Sequence, residues 1–180
     1  MPPNLPPRPH AALLAVAAGL DRAGVRWVLA GSAGRALLGH RVRPADIDVE
    51  VAEEDSVAAG AALGAPLRAE AGGGRASLRG STRRAGVVID VTAGLVVEGA
   101  THTLRADDGA QLDWCHRVRS GGRTIPVAPV EEAVARALVL GAWATLARIA
   151  SQAAAGAASP VPRAGYLARR LSSATARAAR

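Results

Sequence analysis

The sequence predicts an α/β (α+β) fold. Three observations carry this expectation. Asp46 to Val51 (DIDVEV) alternates polar and apolar residues with period two, and Val87 to Val91 (VVIDV) is a short apolar run, so both read as strands. Ala11 to Ala23 repeats Leu13, Val16, Ala17 and Leu20 on one helical face. Glycines at 24, 39 and 72–74 punctuate these segments.

Taken in order, residues 1–8 are Pro-rich and are expected to be disordered or extended. The helix Ala11–Ala23 stops at Gly24. Arg26 to Ala30 (RWVLA) is a strand, and Gly31-Ser32 turns it into a short helix, Ala33 to Leu38, which Gly39 ends. His40 is expected to cap that helix. The basic loop His40–Pro44 leads into the strand Asp46–Val51, and Glu53 to Leu63 is helical. Leu67–Ala71 and Arg75–Arg79 form a hairpin about Gly72-Gly73-Gly74. After the strand Val87–Val91, Asp107-Asp108-Gly109 makes a turn, and Gln111–Val118 and Thr124–Ala128 are further strands. Pro129 opens a helix to about Ala154, with Glu131 and Glu132 in the first turn, where acids suit the helix dipole. Residues 155–162 form a linker and 163–179 a basic helix. The organisation expected is a Pro-rich terminus (1–8), a core (9–128) and a C-terminal helical segment with a basic tail (129–180).

The chain has 180 residues, which suggests one domain and suffices to bury a core. Apolar residues make up 49% and aromatics only 2%, with no Phe, so the core must use small aliphatic side chains. Trp27, Trp114 and Trp143 are expected in it. All 22 basic residues are Arg, the net charge is +7 and the pI about 11.4. Such a balance favours anionic partners such as nucleoside triphosphates or RNA, although an Arg-rich composition raises pI by itself. The last thirty residues carry five Arg and no acid. The single Cys115 excludes an internal disulfide and a Cys-based zinc site. No apolar run reaches the length of a membrane span, and MPPNLPPRPH lacks the apolar region of a signal peptide, so a cytoplasmic protein is expected.

Asp46-Ile47-Asp48 is the pattern with the most chemistry. Carboxylates at i and i+2 on a strand share a face, about 6–7 Å apart, close enough to share divalent metal ions. Asp46, Asp48 and Glu50 on one face repel each other unless solvated or neutralised by cations; Glu50 is expected at the surface. Asp90 is the one polar residue of VVIDV, and a buried unpaired Asp is costly, so it is the natural third carboxylate. Magnesium takes oxygen ligands, typically one or two carboxylates with phosphates and water. Gly31-Ser32, separated from the Asp pair by thirteen residues, forms a turn suited to phosphate. Arg41 and Arg43 precede the acidic strand and can meet phosphate by charge-assisted hydrogen bonds.

The stretch GSAGRALLGHRVRPADIDVEV, followed by VVIDV, resembles the nucleotidyltransferase superfamily of DNA polymerase β. It is most similar to the small bacterial branches: abortive-infection and toxin–antitoxin nucleotidyltransferases, and those that modify lincosamide and aminoglycoside antibiotics. The resemblance covers residues 9–95. It implies a small mixed β-sheet flanked by helices, a polymerase-β-like core followed by C-terminal helices. It implies that Gly31 and Ser32 bind the triphosphate and that Asp46, Asp48 and Asp90 are catalytic carboxylates and ligands of Mg2+, or of Mn2+. The reaction implied moves a nucleoside monophosphate from a nucleoside triphosphate to a hydroxyl of tRNA, a protein or a small molecule. A partner protein is a further expectation, and the alternative is an inactive binding or antitoxin-like module of the same fold. Many relatives carry a Lys in the helix after the sheet, where this chain has Arg136, and their downstream Arg-Lys-Asp…Asp signature is missing.

Overall fold

The computed structural model describes residues 5–105, 110–154 and 164–176. Seven α-helices and nine strands are present among them: α1 (Pro7–Arg22), β1 (Trp27–Leu29), α2 (Gly31–Leu37), β2 (Asp46–Val51), a 3₁₀ turn (Glu53–Asp55), α3 (Ser56–Leu63), β3 (Arg68–Gly72), β4 (Arg75–Arg84), β5 (Val87–Glu98), β6 (His102–Arg105), α4 (Ala110–Asp113), β7 (His116–Ser120), β8 (Arg123–Val127), α5 (Val130–Leu140), α6 (Trp143–Ala154), α7 (Ala164–Ser173) and β9 (Thr175–Ala176). The strands form one mixed sheet in the order β3-β4-β5-β2-β1-β8-β7, with β6 joined to β5 and β9. The expected class, a mixed open sheet flanked by helices, is therefore the one observed.

The alternation of β2 decides what lies on each side. Ile47, Val49 and Val51 join Ile89, Val91 and Ala93 of β5 in the main core, under Leu13, Val16 and Leu20 of α1 and Leu63 of α3. The opposite face carries Asp46, Asp48 and Glu50. Strand β5 runs parallel to β2 and places Asp90 directly opposite Asp48. Partway along β5 the pairing with β4 slips by one residue, from Ala93–Leu78 to Val96–Ala76. This is a β-bulge, and Gly94, at φ +59, takes the left-handed conformation it needs. Beyond the bulge the odd-numbered side chains change sides. Leu95 and Val97 therefore pack with Leu104 and Ala135 in a second core, on the side of the acids. β6 occupies the edge of β5 that β2 leaves free.

Helix α5 is held over the acidic face by a buried ionic network. The Arg136 guanidinium donates to both Glu50 carboxylate oxygens at 2.7 Å, and its Nε donates to Glu132 at 3.0 Å. Arg170 of α7, only 1% exposed, donates to Glu132 at 2.7 Å, as does the Tyr166 hydroxyl at 2.6 Å. Gln111 bridges Glu50 and Arg136. Burial alone would raise the Glu132 pKa; Arg136 and Arg170 override it and hold the carboxyl below its usual range. The Glu50 and Glu132 charges push Arg136 the other way, further into its protonated range, against the pull of burial.

Several expectations need correction. α1 begins at Pro7, because proline is pre-organised for the first helical position, so the Pro-rich segment is not wholly extended. The expected strand Gln111–Val118 is helix α4 followed by β7: Gln111 turns inward to Glu50 rather than pairing in the sheet. The long helix after Pro129 breaks at Gly141, left-handed at φ +65. Strand β5 runs on to Glu98, past its expected end at Val91. Glu50 is buried and not a surface residue. Trp27 is in the core, but Trp143 is 71% exposed and Trp114 packs its ring against Tyr166 at the edge of the fold. The expected Asp107-Asp108-Gly109 turn, the linker 155–162 and the outer parts of both termini lie outside the described residues.

Removing one member of a buried ion network strands the charges it neutralised. Arg136→Met should therefore destabilise the fold by about 3–5 kcal/mol in chemical denaturation. Val57→Ala, at a side chain that is 83% exposed, should change stability by less than about 0.5 kcal/mol.

Candidate active site

The three carboxylates predicted from sequence converge. Single oxygens of Asp46, Asp48 and Asp90 all lie within 4.8 Å of one another, and all three residues are half-buried. Two elements of sequence produce this. The i, i+2 spacing places Asp46 and Asp48 on one face of β2, and parallel pairing sets Asp90 beside Asp48. The Asp48 carboxyl is pushed up to about 6, first by burial and then by the like charges of Asp46, Asp90 and Glu50; Arg35 opposes the shift. This is a set of hard oxygen donors whose mutual repulsion a divalent cation would relieve, so the residues fit such an ion.

The chain that enters α2 sits directly against this cluster. The Ala30 N–H donates to the Asp48 carbonyl at 2.9 Å. Gly31 follows at φ +59, and a Cβ there would lie 1.7 Å from Asp48 Oδ2. Only glycine allows this approach, because any side chain would occupy the place of the carboxylate. Gly34 is equally confined, since a Cβ there would meet the Leu29 carbonyl at 2.9 Å. The helix closes as expected around His40: the Gly39 N–H donates to the Ala36 carbonyl at 3.1 Å and the His40 N–H to the Arg35 carbonyl at 3.0 Å.

A cavity of about 530 Å³ opens beside the cluster, between the acidic face of the sheet and helices α5 and α6. Gly31, Asp48 and Glu50 form its floor. Arg35 enters from α2, Arg75 and Arg79 from β4, and Arg136 from α5. Arg136 is already committed to Glu50 and Glu132. The predicted phosphate ligands divide. Gly31 lines the cavity and Ser32 lies next to it in the first turn of α2, whereas Arg41 and Arg43 are exposed and outside the lining.

Of the cations that do line the cavity, sequence reasoning singled out only Arg136, as the residue where relatives carry a Lys. Arg35 and Arg79 had no partner close in sequence to mark them, and the role of Arg136 needed Glu50 to be seen as buried. One signal was available: Glu50 shares the face of Asp46 and Asp48, and Glu132 and Arg136 are spaced i, i+4 on one helix face.

Comparison with known proteins bears on the fold and the family. Among solved structures, that of a Thermotoga maritima protein proposed to be a nucleotidyltransferase is similar at a TM-score of 0.61 and 21% identity, over 77% of this chain and 84% of that one. At that identity the likeness establishes the fold. No curated protein matches the chain. The family model described as aminoglycoside-2''-adenylyltransferase matches residues 12–135. That match takes in both strands of the carboxylate cluster and the Gly31 turn, and the chain belongs to this family, on a nucleotidyltransferase fold.

Proposed function

We propose that the protein is a divalent-metal-dependent nucleotidyltransferase that moves a nucleoside monophosphate from a nucleoside triphosphate to a hydroxyl acceptor. The observation that carries this reading is the convergence of Asp46, Asp48 and Asp90 beside the Gly31 turn. These carboxylates would hold Mg2+, or Mn2+, which when bound neutralises phosphate charge and favours ionisation of the acceptor hydroxyl. The chain supplies the rest. The backbone at Gly31 and the Ser32 hydroxyl receive the β- and γ-phosphates, and Arg35 adds a positive charge on the same side of the cavity. Arg41 and Arg43, exposed in the loop ahead of β2 and outside the cavity lining, add positive charge only at a distance from the phosphates. Asp90 accepts the proton of the attacking hydroxyl, whose oxygen bonds to the α-phosphorus as the bond to the β-phosphate oxygen breaks and pyrophosphate leaves.

The family description names adenylyl transfer to the 2'' position of an aminoglycoside, which supports ATP as the donor and a small molecule as one candidate acceptor. A tRNA end or a protein side chain are the others. The likeness of the motif to toxin–antitoxin members keeps a partner protein within the proposal.

Incubation with labelled nucleoside triphosphates, Mg2+ and each acceptor class in turn should label one of them. Asp46→Asn combined with Asp48→Asn should lower the rate at least ~100-fold, and Gly31→Ala should do likewise by displacing the Asp48 carboxylate. Full activity in the double variant would sink the reading. Metal and nucleotide binding without transfer to any acceptor would favour the binding-module alternative.

The raised Asp48 pKa also has a sign that can be checked. The metal-free folded protein binds this proton up to about pH 6, whereas the unfolded chain releases it near 3.8. Stability of the metal-free protein should therefore fall as pH rises from about 4 to 6 and stay lower above, by on the order of 2–3 kcal/mol. Asp48→Asn should raise the melting temperature in EDTA at pH 7.5 and remove the stabilisation by Mg2+. In the unaltered protein Mg2+ binding should weaken as pH falls through 6. An Asn variant that Mg2+ stabilises as fully as the original would contradict the ligand assignment.

A further inference from the structure

The hairpin β3–β4 continues the catalytic face of the sheet outward, and the register gives its composition. Ser81 lies opposite Asp90, Arg79 opposite Thr92 and Arg83 opposite Val88, so these β4 side chains share the face of the carboxylate cluster. By alternation Arg75 and Ser77 share it too. Arg68 of β3 lies opposite Arg79 and joins them. Every second residue of β4 over about 27 Å is therefore an arginine or a serine. Arg68, Arg75, Arg79 and Arg83 are all exposed. Among the described residues, no ion pair engages Arg68, Arg75 or Arg83. Arg79 meets Glu70 at 3.5 Å with both side chains largely in solvent, a contact worth little. The reverse face of the hairpin is already occupied: a Cβ on Gly80 would meet the Ala65 carbonyl at 2.6 Å, and Arg84 donates to the Leu63 carbonyl at 2.7 Å.

We infer that this arginine–serine face is the acceptor platform, and that the acceptor is a single-stranded nucleic acid whose terminal hydroxyl is led along β4 to the carboxylates. The inference rests on the nucleotidyltransferase reading and names the substrate class for the same site. Four arginines against one glutamate make the platform a polyanion track, while serines between them donate to phosphate oxygens. A polycationic acceptor would meet like charge along β4 before it reached the carboxylates. The cavity reaches from Arg75, Ser77 and Arg79 to Ala142, just before α6, and Thr145 within it; between them Trp143 is 71% exposed. An exposed aromatic in that segment offers a base a face to stack on.

The test is binding of a fluorescein-labelled 12-nucleotide RNA, by anisotropy, across a salt series on the full chain. The expected result is salt-sensitive binding. Arg75→Ala with Arg79→Ala should weaken it at least about tenfold and reduce the slope of log K against log salt by about 1.4, or roughly 0.7 for each phosphate no longer neutralised. Arg75→Lys with Arg79→Lys should restore most of it, which separates charge from folding. Trp143→Ala should weaken binding about fivefold with the slope unchanged. No RNA binding, unchanged binding in the double Ala variant, or equal competition by polyglutamate would overturn the platform. Arg68→Ala with Arg83→Ala, at side chains outside the cavity lining, should weaken RNA binding while Mg2+-dependent ATP binding persists; loss of ATP binding together with RNA binding in that variant would overturn the inference. Asp46→Asn with Asp48→Asn should abolish transfer yet leave RNA binding intact. Transfer that survives in that variant would defeat the enzymatic reading and not the platform.

Discussion

The arrangement depends on how one strand disposes of three acids. Period-two alternation obliges Asp46, Asp48 and Glu50 to share the side of β2 that faces α5, and their charges cannot all be buried alone. Two solutions are used side by side. Glu50 is neutralised permanently by the bidentate Arg136 contact, which in turn is fixed through Glu132 to Arg170 and Tyr166. Among the described residues Asp46 and Asp48 have no side-chain cation of that kind and are joined instead by Asp90. The same strand thus anchors the C-terminal helices at one end and keeps an unneutralised carboxylate cluster at the other. The ion network helps to roof the cavity: α5 reaches the sheet through it and through Ala135 in the second core, and α7 reaches α5.

The cluster is held together against its own repulsion by the surrounding packing. Gly31 presses its backbone on the Asp48 carboxylate, and Ile47, Val49, Ile89 and Val91 lock the two strands from below. Burial and three neighbouring acids raise the Asp48 pKa, so the fold carries a local instability where its chemistry lies. Core packing elsewhere offsets it. Among the described residues no helix is long and apolar enough to cross a membrane.

Much of the site was legible before any coordinates. Strand patterns are local, so β2 was placed from Asp46 to Val51 as observed, and the start of β5 at Val87 likewise. Features that answer to distant partners were not legible. Nothing near Gly94 announces a bulge, because the bulge exists to turn Leu95 and Val97 towards Ala135, about forty residues away in sequence. Gln111 sits in a segment of strand-like composition, yet a hydrogen bond to Glu50 at 2.8 Å draws it into a helical turn. Trp143 looks like core by residue type and is exposed because α6 starts after the break at Gly141.

By itself the sequence determined which residue types could do the chemistry: two carboxylates on one strand face, a third in an apolar strand, and a glycine where the chain must turn close by. Those follow from backbone periodicity and from the conformations that single residues allow. Tertiary structure alone decided that Asp90 pairs with Asp48, that Glu50 is buried as an ion-pair anchor, and that Arg35, Arg75 and Arg79 rather than Arg41 and Arg43 line the cavity. Those depend on strand register and on charges brought together from far along the chain, and electrostatic energy is set by distance in space, not by position in the sequence.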